Sequence, residues 1–154
     1  MLRVSVVAAC LVAGLMATTS VQAQEIGTDF PGQLQPTLPA NEELVSQIGQ
    51  ALPATDLSTL SDQAGTALSV GTDLEQQLSD LLPIAPDDAA RSRISGVLTH
   101  IQASVGSLQL AQMETSVDSA RARFDQARGE AQEALSELQP FVVSLPSVTP
   151  IAGK

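Results

Sequence analysis

Apolar residues recur in alternating steps of three and four along most of the chain between residues 41 and 141. One series runs Leu57, Leu60, Ala64, Ala67, Gly71, Leu74, Leu78 and Leu81, with Ser, Thr, Gln and Asp between. A second runs Ile94, Leu98, Ile101, Val105 and Leu108, and a third runs Val117, Ala120, Phe124, Ala127, Ala131, Ala134, Leu138 and Phe141. A mean spacing of 3.5 keeps one stripe of a helix turned toward a neighbouring helix, so the pattern predicts an all-α fold with coiled-coil-like packing.

Punctuation in the sequence divides the pattern into one short and two long helices. Asn41 has the chemistry of an N-cap, Glu42 and Glu43 suit the positive end of the helix dipole, and Pro53 stops the element, which gives a helix over 41–52. Thr55 or Asp56 caps a second helix over 56–82, ended by Pro83. The connection Pro83-Ile84-Ala85-Pro86 is short, and Asp87-Asp88 suits the start of the next helix. So short a loop predicts an antiparallel hairpin. Symmetry about it sets Leu78 near Ile94, Leu74 near Leu98, Gly71 near Ile101 and Ala67 near Val105. It also brings Arg91 and Arg93 toward Glu75 and Asp80.

The region 87–139 has two possible courses. The stripe slips between Leu108 and Val117, since no series of three/four steps joins the halves through apolar positions. An unbroken helix would span roughly 80 Å against roughly 40 Å for its partner, at 1.5 Å per residue. Its distal stripe, Val117 to Phe141, would then lack an intramolecular partner and become the candidate interaction seam. Alternatively Thr115-x-x-Asp118, a capping-box pattern, opens a new helix, and a break near 109–116 gives a three- or four-helix bundle. No Gly or Pro stands there, which favours the continuous or kinked helix.

The flanks read differently. Arg3, the apolar run Val4–Ala17 and the small-x-small sequence Val21-Gln22-Ala23 form a signal-peptide pattern over 1–23, with cleavage expected before Gln24 and export to an extracellular or periplasmic space. Cys10 is the only cysteine and lies within that leader, so the mature chain is expected to carry neither disulfide nor thiolate metal site. Residues 24–40 hold Pro31, Pro36 and Pro39 without periodicity and are expected to form an extended or disordered arm. Pro140 is expected to stop the last helix, leaving an extended, Pro-containing tail over 140–154.

Composition changes the picture in two ways. With no Trp or Tyr, and only Phe30, Phe124 and Phe141 aromatic, packing must rest on aliphatic and alanine contacts. The net charge is −10, and every charged residue from Gln24 to Asp88 is acidic. Such a surface repels nucleic acid and anionic headgroups, so neither is expected as a partner, and no stable membrane span is expected.

Chemistry-bearing patterns are sparse. His100, the sole histidine, lies beside a stripe position and reads as a half-buried polar residue before it reads as a base or ligand. Asp87-Asp88 is explained by a helix start, without the spacing of a calcium loop. Asp118, Asp125, Glu130, Glu133 and Glu137, interleaved with Arg121, Arg123 and Arg128, form a mixed-charge solvated face. No glycine-rich phosphate loop, dinucleotide fingerprint or nucleophile elbow occurs. The expectation is therefore a secreted, non-enzymatic interaction or structural protein without cofactors. It would act through heptad seams or apolar tails on a protein partner or on itself. The alternative is an amphipathic helical carrier for lipid or another apolar ligand.

Overall fold

In the computed structural model, which describes residues 30–145, the chain is all-helical and four helices pack against one another. Residues 30–34 make a helical turn that leads into α1 (Thr37–Ala51); α2 spans Leu57–Leu81, α3 Asp88–Met113 and α4 Val117–Ser144. Cross-helix contacts run antiparallel between α2 and α3 and between α3 and α4. Glu75 of α2 meets Gln102 of α3 while Ser61 meets Gln112, and Gly96 of α3 lies under Glu137 of α4 while Ser104 meets Ala127. α4 returns to α1, so the helices close a ring around one core. The leader pattern over 1–23, residues 24–29 of the expected arm and residues 146–154 of the tail lie outside the described residues.

The expected continuous helix over 87–139 is not what forms: the chain turns at Glu114-Thr115-Ser116. Glu114 and Ser116 both adopt extended backbone (φ −70°, ψ 145° and φ −129°, ψ 146°), which any residue tolerates, so no glycine or proline is required. Ser116, one residue beyond the expected cap, accepts from the Ser119 amide at 3.1 Å. The turn is also clipped from outside. Arg123 reaches Glu114 at 3.2 Å, and the Arg121 guanidinium donates twice to the Ala54 carbonyl, at 3.1 and 2.6 Å. Folding back buries the Val117–Phe141 stripe that an unbroken helix would leave in water, and this decides the outcome.

Pro36 and Pro39 open a helix where an extended arm was expected, and Pro140 stands inside a helix where a stop was expected. α1 starts at Thr37, four residues before Asn41, with Pro36 at the cap and Pro39 in the first turn. The first-turn amides have no intrahelical acceptor, so a ring there costs no hydrogen bond. The arm is docked over 30–36: Phe30 and Leu34 are fully buried, and the Phe30 ring meets Phe141 at 6.2 Å. α4 likewise runs past Pro140 to Ser144. Ser136, whose carbonyl loses its amide partner, is exposed and can be solvated, while Phe141 anchors the last turn in the core.

The pairing of α2 with α3 is displaced by one turn from the expected one. A Cβ at Gly71 would stand 2.8 Å from Val105 Cγ2 and 3.6 Å from Leu44 Cδ1, so Gly71 faces Val105 rather than Ile101. Residues 82–84 form a 3₁₀ turn and Ala85 is extended. Both advance farther per residue than an α-helix, so α3 needs an extra turn to return to the same level. The arginines do not reach Glu75 or Asp80 either. Arg91 pairs with Asp88 at 2.7 Å, Arg93 lies 5.5 Å over the Phe141 ring, and Glu75 and Asp80 bond Gln102 and Gln76.

Candidate functional site

The candidate seam is the first region to place. Ala120, Phe124, Ala127, Ala131, Ala134 and Leu138 are 0 % exposed, Phe141 is buried, and Val117 packs half-buried against the same cluster. These side chains form the chain's own core, so the stripe is not an open surface. Its alanines have a second effect, because they let neighbouring helices approach the α4 backbone. Ser104 of α3 donates to the Ala127 carbonyl at 2.9 Å. Asn41 of α1, fully buried, sits on the next rung: with its amide oriented as the surrounding donors and acceptors require, its nitrogen donates to the Ala131 carbonyl at 3.2 Å and its oxygen accepts from the Leu135 amide at 3.0 Å. Asn41 is thus an interhelical pin, where the sequence suggests an N-cap. Such single buried amides fix the register between helices.

The second region is the cleft around His100. The periodicity of α3 places His100 between its core stripe and its outer face, and two carboxylates seven residues apart on α4 meet it. Nδ1 lies 2.8 Å from Glu130 Oε2 and Nε2 lies 3.8 Å from Glu137 Oε1, with all three side chains one-third to one-half exposed. Glu137 can lie across α3 because residue 96 is glycine; a Cβ there would stand 2.9 Å from its carboxylate oxygen. Beside it opens a cavity of about 410 Å³ lined by Ser92, Arg93, Gly96 and Glu137. Chemically this is an imidazole held between two acids. Ser104, one turn along, turns its hydroxyl to a backbone carbonyl instead of to the ring. Among the described residues no group of three or more His, Cys, Asp and Glu side chains is placed to hold a metal ion.

The third region was not singled out by sequence reading. From Ile94 to Met113, twenty residues carry no Asp, Glu, Lys or Arg. On the outer side of α3, away from its core positions, Thr99, Ala103, Gly106, Leu110 and Met113 follow one another in steps of four and three, a second stripe on the same helix. Leu110 is 42 % and Met113 69 % exposed. Polar groups at the edges are tied off: the Thr99 hydroxyl donates to the Ser95 carbonyl, Gln102 to Glu75 and Gln112 to the Ser61 carbonyl. The available signal was the charge-free run, which the stronger core stripe through Ile94, Ile101 and Leu108 masked.

Among the described residues, no helix is long and apolar enough to cross a membrane. The chain matches no protein-family model, no curated protein and no solved structure.

Proposed function

We propose that this chain is an exported, non-enzymatic helical module that works by docking a protein on the outer face of α3. The observation that supports it is the coincidence of exposed Leu110 and Met113 with the charge-free run, on a chain whose other helices are acidic or mixed in charge. Protein docking favours such a surface, because apolar area is buried without stripping water from charges. The helical stripes named from the sequence keep a role in this reading as scaffold, holding α3 rigid through Gly71, Ser104 and the α4 alanines. Export rests on the leader pattern of Arg3, Val4–Ala17 and Val21-Gln22-Ala23.

The test is site-specific photocrosslinking in the fluid of the compartment where the chain accumulates, with the reactive group at Gln109 beside the stripe or at Gln132 on α4. Protein adducts at Gln109 and none at Gln132 are expected; equal or absent adducts at both would end the proposal. N-terminal sequencing of the accumulated chain should begin at Gln24. The carrier alternative requires side chains now fully buried, Phe124 and Leu138 among them, to open onto lipid. Co-flotation with neutral vesicles, accompanied by loss of Phe124 protection, is the result that would move the reading there.

A further inference from the structure

We infer that the chain is one two-helix unit used twice in tandem, and that its halves, 30–86 and 87–145, are each other's binding partners, a pseudo-dimer joined by a tether. Every buried position between Phe30 and Leu81 has a buried counterpart sixty residues later, between Ala90 and Phe141. Heptad spacing would align any one helix with another at several offsets. Here both helices of each half and the turn between them share a single one. The residues themselves differ, as at Leu60 and Ala120 or Ala64 and Phe124, so what repeats is placement. The turns repeat bond for bond. The Thr59 amide donates to Asp56 at 2.8 Å and the Ser119 amide to Ser116 at 3.1 Å. The Ala54 amide donates to the Ala51 carbonyl at 3.0 Å and the Glu114 amide to the Ala111 carbonyl at 3.4 Å. Asp56 and Ser116 share nearly the same backbone, φ −132°, ψ 151° and φ −129°, ψ 146°. Two surface clefts of about 420 and 410 Å³ repeat as well. Gly32, Gln33, Pro36 and Gln77 line one, and Ser92, Arg93, Gly96 and Glu137 line the other.

Contacts between the halves obey the same two-fold relation. Gln102 meets Glu75, and Leu135, the counterpart of Glu75, meets Asn41, which stands one residue from the counterpart of Gln102. Gln112 meets the Ser61 carbonyl, and Arg121, the counterpart of Ser61, reaches the Ala54 carbonyl, two residues from the counterpart of Gln112. Each half thus docks through a surface that is used in both directions, as in an isologous pair. Packing by itself would let a half pair with its own kind. Charge disfavours it. Residues 30–86 carry Asp and Glu but no Lys, Arg or His, and all five arginines among the described residues lie in the second half. Two first halves would set acid against acid, whereas a first and a second half bring arginine to the acidic partner.

A site-specific protease sequence inserted between the exposed residues Pro86 and Asp87 tests this pairing in the otherwise intact chain. After cutting, the two pieces should stay together as one species and keep their helicity. Their melting temperature should fall on dilution, while that of the uncut chain stays fixed. Separation or unfolding of the pieces on cutting would overturn mutual recognition. Isotope-labelled and unlabelled cut chains, mixed and followed by native mass spectrometry, should exchange partners as first-with-second pairs alone. Pairs of first halves would overturn the part given to charge. The unmodified chain supplies an independent check through native-state hydrogen exchange. The most protected amides of α2 and α4 should share one opening free energy, because neither half keeps its partner surface covered alone. Protection that persists in one half after the other has opened would mean a core with an appendage, and would overturn the pseudo-dimer.

Discussion

α3 and α4 are neighbours of nearly equal length, 26 and 28 residues, packed antiparallel along the same core, yet they divide their residues in opposite ways. α4 puts alanines and Phe124 inside and eight charged side chains elsewhere; α3 puts isoleucine, valine and leucine inside and leaves its outer face without charge from Ile94 to Met113. The inner stripe of α4 was the more conspicuous in sequence and is buried. The weaker outer stripe of α3 is the one left in solvent. Conspicuous periodicity reports that a helix packs; what it packs on is decided by which other apolar stripes the chain can bring to it. Here a turn at residues 114–116 brings α4 onto α1 and α3, and the outer stripe of α3 remains after every inner stripe has been matched.

Substitutions can break this contrast, and the largest effect belongs to the inside of α4. Phe124→Ala should cost about 3–5 kcal/mol in denaturant titration, the usual loss for emptying a buried aromatic site. A loss below 1 kcal/mol would mean that the α4 stripe is not core. Next comes the inside of α3, approached from α2. Gly71→Leu must displace Val105, a β-branched side chain with few rotamers, and should destabilise by about 1–3 kcal/mol. The companion substitution Ile101→Val should not relieve it, because Ile101 is not the residue opposite; relief by Val105→Ala would sharpen the register instead.

Smaller effects test what joins the two helices. Ser104→Ala should cost about 1 kcal/mol, since the Ala127 carbonyl keeps its place in the α4 ladder and only one interhelical hydrogen bond is lost. Asp56, the cap of α2, supplies a control outside the pair. Hydrogen bonds from the Thr59 amide and hydroxyl hold its carboxyl below the ordinary value against a small opposing desolvation. Its folded-state value is depressed, so the stability that it adds is present above the unfolded value and is lost as pH falls through the folded one. Asp56→Ala should therefore flatten a small part of the acid-limb decline in melting temperature below about pH 4, where free aspartate titrates, and change nothing on the alkaline side. The least effect on stability is expected from Leu110→Ala, within about 0.5 kcal/mol, as for an exposed position. A larger loss would show that the outer stripe of α3 is core after all.

Some residues disclose their surroundings in sequence and others do not. Leu60, Leu74, Leu78 and Ile101 could be assigned to the interior because apolar spacing depends only on helix geometry, and all four are buried. Pro36, Pro39 and Pro140 could not be read correctly, because whether a proline lies outside a helix, opens one or stands inside one depends on whether neighbouring side chains find a core. Phe30 and Phe141 find one in each other. Asn41 was a cap by local chemistry and a pin by tertiary chemistry; its amide can satisfy either a helix end or a neighbouring rung, and only the arrival of the α4 backbone selects between them. The outer stripe of α3 was present as spacing and as missing charge, but its exposure became meaningful only after the other stripes had been matched.

By itself the sequence determined that most of the chain from Leu57 to Leu138 would be helical and that each helix would carry an apolar stripe, because spacing and side-chain type act within one turn. Tertiary structure alone decided the turn at 114–116, the one-turn displacement of Val105 onto Gly71, and which stripe stayed outside. Those outcomes depend on the difference in apolar area buried between alternative pairings of whole helices, a quantity that no local stretch of residues contains.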